Sequence, residues 1–214
     1  MDDESDDEYI ACKVVLLGES AVGKTSIISR YVTNSFSEFL MSTTGATYAN
    51  KKVEIDSEHK IKFQIWDTAG QERFRSLARI FYQNTSVAIL VYDITRKETF
   101  DKLKDFWIGE LKENSPQDII LAIVGNKSDL YENEQVSLKE GQELAQSINA
   151  IFMSTSALSA SGIEELFKEI AHEYISPGTK KNQQKIDNSK NVDFSNTIKL
   201  NNNRKKTKSD KGCC

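Results

Sequence analysis

The chain has 214 residues, 38% hydrophobic and 28% charged, with a net charge of −4. That size suits one folded domain plus a tail, and two prolines with ten glycines exclude collagen-like and Pro/Gly-rich disordered classes. The charge is uneven: from Gly178 onward ten basic residues face three acidic ones, a balance of +7 that leaves −11 for residues 1–177.

In chain order, residues 1–9 read as an acidic disordered arm, of the wrong charge for a secretory or mitochondrial leader. Apolar runs at Cys12–Leu17, Lys52–Asp56, Lys60–Trp66, Val87–Tyr92, Ile119–Val124 and Ala150–Ser154 are predicted strands. Helical spacing is predicted at roughly 24–33, 74–83, 97–114, 138–149 and 162–175. In the last, Ile163, Leu166, Phe167, Ile170, Ala171 and Tyr174 share a face. Short apolar strands alternating with helices indicate an α/β fold with a mostly parallel sheet covered on both sides. Ser57-Glu58-His59 is too short for a crossover, so the strands flanking it should form an antiparallel hairpin. The domain should span residues 10–177, because the remainder, 178–214, is too polar to bury a core. The run Val87–Tyr92 falls far short of the ~20 apolar residues that span a bilayer. Cys12, Cys213 and Cys214 give no disulfide framework and no zinc spacing, which points to a reducing compartment.

Gly18-Glu19-Ser20-Ala21-Val22-Gly23-Lys24-Thr25 follows a strand and opens a helix. Such a loop turns its backbone N–H groups toward phosphate oxygens, with the helix N-terminus behind them. Lys24 can reach the β- and γ-phosphates, and the Thr25 hydroxyl can ligate Mg²⁺. A plain glycine turn is the simpler alternative. Asp67-Thr68-Ala69-Gly70-Gln71 follows the third strand, where a metal-side carboxylate belongs. Gly70 could offer its N–H to the γ-phosphate and Gln71 could orient a water. Asn126-Lys127-Ser128-Asp129 follows the fifth strand. The Asp129 carboxylate can accept from guanine N1–H and the exocyclic amine. Adenine lacks that donor pair and would leave a desolvated carboxylate unpaired. Taken singly, the second and third motifs could each be an ordinary turn.

Their order, completed by Ser156-Ala157, decides the matter: each follows a strand end. Over residues 12–175 the chain resembles the Ras-like small GTPases, and within them the Rab subfamily, most closely along Lys62–Leu77. Gly212-Cys213-Cys214 is similar to the double-cysteine end of Rabs, and Gly-Glu-Ser-Ala-Val-Gly-Lys to the loop of endocytic, early-endosomal Rabs. The resemblance implies a six-stranded P-loop NTPase fold, mostly parallel with one antiparallel edge strand. It further implies a monomeric switch that hydrolyses GTP to GDP in vesicular membrane traffic.

By position, the resemblance assigns Ser20, Ala21, Val22, Gly23, Lys24, Thr25 and Ser26 to the phosphates, Ser26 to the α-phosphate. Thr43 joins Thr25 and Asp67 around Mg²⁺ when the γ-phosphate is present. Phe36 packs its edge on guanine, Asn126, Lys127 and Asp129 complete the base site with Ser156 and Leu158, and the Ala157 N–H meets guanine O6. Lys24 and Gln71 would be the catalytic residues. Tyr48, Trp66 and Phe81 would face effectors. Geranylgeranyl groups on Cys213 and Cys214, aided by Arg204, Lys205, Lys206, Lys208 and Lys211, would anchor the chain on the cytosolic face of an endosome or other vesicle. An exchange factor, a GTPase-activating protein, a GDP-dissociation inhibitor, an escort protein and effectors are the implied partners.

Three places depart from the pattern: Thr44 stands for an apolar isoleucine, Phe81-Tyr82-Gln83-Asn84 for Tyr-Tyr-Arg-Gly, and Leu158 for lysine. Hydrolysis unaided should be slow, since about 18 residues between Thr25 and Thr43 cannot hold a domain carrying an arginine in cis. A partner could add roughly 10³–10⁵-fold. A GTP-held scaffold without turnover is the rival function, and a P-loop kinase or ATPase is disfavoured by Asp129. Nucleic-acid binding is not expected, because Phe194 is the sole aromatic among the basic residues of the tail. His59 and His172 have no partners at ligand spacing and read as surface residues.

Overall fold

The computed structural model describes residues 9–38, 43, 46–68 and 83–176. The acidic arm before Tyr9, most of the helix predicted over 74–83 and the tail lie outside them.

The first strand, β1 (Ile10–Leu17), runs up to the glycine-rich loop, and α1 (Lys24–Thr33) leaves it. β2 (Ala46–Glu54) and β3 (Lys60–Thr68) pair antiparallel across the predicted hairpin. Asp56 shapes that turn by accepting from the Glu58 and His59 N–H groups, both at 2.8 Å. Next comes β4 (Val87–Asp93). A helical run then comprises α2 (Lys97–Lys102), a π-helical turn (Leu103–Trp107) and α3 (Ile108–Asn114). Then follow β5 (Ile120–Asn126), a 3₁₀ turn (Ser128–Asn133), α4 (Leu138–Ser147), β6 (Ile151–Thr155) and α5 (Ile163–Ile175). A capping box starts α4: Ser137 Oγ accepts the Glu140 N–H, and Glu140 accepts the Ser137 N–H.

The six strands lie in the order β2-β3-β1-β4-β5-β6, parallel throughout except for edge strand β2. Because side chains alternate along a strand, β1 sends Val14 and Leu16 to one core and Val15 and Leu17 to the other. The first core holds Ile27 and Tyr31 of α1 and Leu166, Phe167 and Ile170 of α5. There the Tyr31 and Phe167 rings stack with centroids 3.6 Å apart. The second holds Phe100, Leu103, Trp107 and Leu111 of the α2–α3 run and Ala145 of α4. Every residue of β4 is buried, as its central place requires. Each fully buried Leu, Ile, Val or Phe contributes about 1.5–3 kcal/mol.

The predicted strands are all present, with shifted bounds. β2 differs most: it begins at Ala46 rather than Lys52. Its first half, Ala-Thr-Tyr-Ala-Asn-Lys, is too polar to register as an apolar run, and an antiparallel edge strand needs only one buried face.

Candidate functional site

The parallel strands end on one rim, and the three motifs meet there. Gly18 leaves β1 at φ +137°, and a Cβ on it would lie 2.2 Å from the Val91 carbonyl oxygen of β4. Glycine is therefore required for the loop to pass over the sheet. Gly23, at φ +96°, begins α1, and none of the N–H groups from Ser20 to Ser26 donates a backbone hydrogen bond among the described residues. Consecutive open amides at a helix N-terminus form a concave anion site.

Lys24 is buried beneath this loop, its Nζ donating to the carbonyls of Gly18 and Glu19, both at 2.8 Å. Burial lowers its pKa to about 8, against the opposing pull of Asp67 and Glu19. The ammonium thus sits in a poorly solvated place where an anion would strongly favour its charged form.

Three oxygens converge beside it. Thr25 Oγ1 donates to Asp67 Oδ2 at 2.5 Å and lies 2.9 Å from Thr43 Oγ1. Asp67 is 1% exposed and its Oδ1 is a buried side-chain oxygen without a hydrogen-bond partner among the described residues. Burial raises the Asp67 pKa, with Thr25 and Lys24 opposing. Two hydroxyls and an unsatisfied carboxylate oxygen are the hard donors that suit a small divalent cation such as Mg²⁺.

The third cluster holds Asp129, in the 3₁₀ turn, and Ser156, whose Oγ donates to Asp129 Oδ1 at 2.5 Å. Ser156 Oγ also accepts the Ser159 N–H, which fixes the turn that carries Ala157. Ala157 is buried and its N–H makes no hydrogen bond among the described residues, whereas Leu158 is half exposed. Phe36 packs against the first core nearby. Asn126 is wholly buried, and both ends of its amide are engaged: Nδ2 donates to the Val22 carbonyl at 2.8 Å, and Oδ1 accepts from Thr155 Oγ1 at 3.1 Å. This residue braces the phosphate loop against β5 and β6.

Several supports escape motif reading. Asp93, buried at the end of β4, receives Lys127 Nζ at 2.7 Å, Arg96 Nε at 3.1 Å and Thr95 Oγ1 at 2.7 Å. Burial alone would raise its pKa, but the Lys127 and Thr95 hydrogen bonds outweigh that and hold it low. Arg96 continues to the Ser20 carbonyl at 3.0 Å, and Trp107 Nε1 reaches Glu19 Oε1 at 3.3 Å. The loop is thereby gripped from the α2–α3 side. A carboxylate at the carboxyl end of a buried strand is the signal that pointed to Asp67, and it would have found Asp93 as well.

Away from the rim, Tyr48 and Trp66 face each other across the β2–β3 ladder with ring centroids 5.2 Å apart, and Tyr48 is 48% exposed. Gly70, Gln71, Phe81, Cys213 and Cys214, with Thr44, lie outside the described residues.

A family profile described as Ras family matches residues 13–176. Ras-related protein Rab-31 of Mus musculus is 46% identical over 170 residues, covering 79% of this chain and 86% of the relative. Ras-related protein Rab-22A of Homo sapiens is 48% identical over 159 residues, covering 74% and 81%. GTP-binding protein ypt5 of Schizosaccharomyces pombe is 44% identical over 160 residues, covering 74% and 75%. The glycine-rich loop, the hydroxyl–carboxylate cluster and the Asp129 carboxylate meet on one rim, and the similarity makes the chain a member of the Ras family of small GTPases, of its Rab type, which bind guanine nucleotide and hydrolyse GTP.

Proposed function

We propose that the chain is a membrane-attached guanine-nucleotide switch of endosomal vesicle traffic, with its chemistry on the rim just described. The observation that carries this reading is the convergence of the open Ser20–Ser26 amides, the Thr25–Asp67–Thr43 oxygens and the Asp129–Ser156 pair at the ends of parallel strands. The buried Asp67 Oδ1, without a hydrogen-bond partner among the described residues, supports assigning Mg²⁺ to Thr25, Thr43 and Asp67. Bound there, the ion would supply positive charge to phosphate oxygens.

The chain's own residues do the rest. The loop amides and Lys24 hold the phosphates and stabilise charge that spreads onto them as the terminal phosphate leaves. Asp129 accepts from guanine N1–H and the exocyclic amine, and Ala157 donates to O6. Gln71 orients the attacking water, and Gly70 offers its N–H to the γ-phosphate. Thr43 and Gly70 hold on only while that phosphate is present, so hydrolysis releases the segments carrying them and weakens effector contact at Tyr48, Trp66 and Phe81. An exchange factor and a GTPase-activating protein set the two rates. Prenyl groups on Cys213 and Cys214, with the basic residues before them, hold the switch on the membrane, and a dissociation inhibitor and an escort protein handle the lipidated form.

The test is to load purified full-length protein with fluorescent GDP or GTP, with and without Mg²⁺, and follow dissociation and single-turnover hydrolysis. Tight, Mg²⁺-dependent guanine binding with slow turnover, lost in Gln71→Leu with binding kept, is expected. Guanine binding without turnover would make the chain a GTP-held scaffold, and absent guanine preference would remove Asp129 from its role.

A further inference from the structure

Arg30, on the outer side of α1, spends its guanidinium on the loop that follows β6. Its Nε donates to the Ala157 carbonyl at 2.9 Å and its Nη2 to the Leu158 carbonyl at 3.1 Å, across 127 and 128 residues of sequence. Its Nη1 turns the other way, to the carbonyl and Oδ1 of Asn34, at 3.0 and 3.1 Å. Asn34 caps α1 in the left-handed conformation and leads into Phe36, whose ring centroid lies 6.0 Å from the Arg30 guanidinium carbon. One planar, permanently charged group therefore joins the two segments assigned to the base: the Ala157 turn and the Phe36 wall. The α1 backbone beneath it is fixed by Ile27 and by the Tyr31–Phe167 stack.

We infer that Arg30 is a positioning residue for purine recognition, setting the Ala157 N–H against the base's 6-position oxygen and holding Phe36 at the ring edge. The inference rests on the guanine reading above. Its physical ground is that the Ala157 N–H is the link between two anchored stretches: Ser156 is held by Asp129 and by the Ser159 and Ser161 backbone, and two charge-assisted bonds hold the peptide planes of the Ala157 and Leu158 carbonyls that follow, so the rotations about Ala157 that would turn its N–H away are restrained from both sides. Lysine is no substitute for Arg30, since its single ammonium nitrogen has no second arm with which to reach Asn34 while it bonds the two carbonyls.

The experiment measures dissociation of GDP, 6-thio-GDP and inosine diphosphate from wild type, Arg30→Lys and Arg30→Ala. Sulfur at position 6 accepts a hydrogen bond poorly, so 6-thio-GDP reports on Ala157. Inosine diphosphate lacks the exocyclic amine and reports on Asp129. In both variants GDP should leave roughly ten-fold faster or more, as expected for loss of charge-assisted bonds. The preference for GDP over 6-thio-GDP should shrink, while the GDP-to-inosine ratio stays at the wild-type value. A variant that speeds release of all three nucleotides equally would make Arg30 a general stabiliser of the fold and overturn the inference, as would unchanged GDP release. Arg30→Lys keeps the stem and the charge, so the test stands if the alanine variant folds poorly. Failure of the guanine reading is separately visible, because wild type itself would then not distinguish GDP from inosine diphosphate.

Discussion

Asn126 Nδ2 occupies the space where a side chain on Gly23 would begin, 2.3 Å from an ideal Cβ, while donating to the carbonyl of the preceding Val22. The two residues sit at opposite ends of the sequence motifs yet share one joint. Gly23→Ala should destabilise the protein by about 2 kcal/mol or more, from its left-handed backbone at φ +96° and this overlap together. Asn126→Ala should cost about 1–3 kcal/mol by stranding the Val22 carbonyl and the Thr155 hydroxyl. In urea denaturation the double variant should cost less than the two singles added, because removing Asn126 relieves the overlap but not the backbone strain.

Lys24 gives a pH signature. Its pKa is about 8 without an anion, and phosphate will raise it, so between about pH 8 and the raised value binding must take up a proton. GDP affinity should therefore fall as pH climbs past 8. Calorimetric titrations of nucleotide-free protein at pH 8.5, in buffers of different ionisation enthalpy, should show fractional proton uptake. Lys24→Met should abolish that uptake while weakening binding.

At the hydroxyl–carboxylate cluster, chelation should speed GDP release from wild type by at least ten-fold. Thr25→Ala removes the hydroxyl that touches both Thr43 and Asp67, so its release should be fast from the start and little altered by EDTA. Stopped-flow release of fluorescent GDP with and without chelator reads both.

Asp129→Asn replaces an acceptor-only carboxylate with an amide that also donates. Xanthine carries a carbonyl where guanine has its exocyclic amine, so the variant should weaken GDP binding by roughly 10–100-fold and improve xanthosine diphosphate binding. Competition against fluorescent GDP would measure the shift. Loss of both ligands together would mean that the Ser156–Asp129 contact matters for the turn rather than for base choice.

The sequence made the sheet and the site motifs readable for one reason: β4, β5 and β1 are nearly continuous apolar runs, and the chemistry sits just past their ends. What escaped reading lies where periodicity carries no information. The π-helical turn at Leu103–Trp107 interrupts a helix predicted as regular over 97–114. Its side-chain pattern still puts Phe100, Leu103, Trp107 and Leu111 inside, so nothing in the spacing betrays the extra residue. Arg30, Arg96 and Asn126 act through carbonyls 127, 76 and 104 positions away, and a backbone carbonyl has no letter in the sequence. Asn126 was readable as part of a guanine motif, yet its work as a brace required seeing Val22.

The contact between Trp107 and Glu19 gives the protein an optical probe of its own. An indole N–H bonded to a side chain of the phosphate loop will change emission when that loop changes occupancy. The second tryptophan, Trp66, lies beside Tyr48 on the β2–β3 ladder and would report a different event. Replacing one or the other with phenylalanine would separate the colours of the two signals. Filling of the phosphate site and engagement at Tyr48 could then be timed in one sample, without a label on either nucleotide or partner.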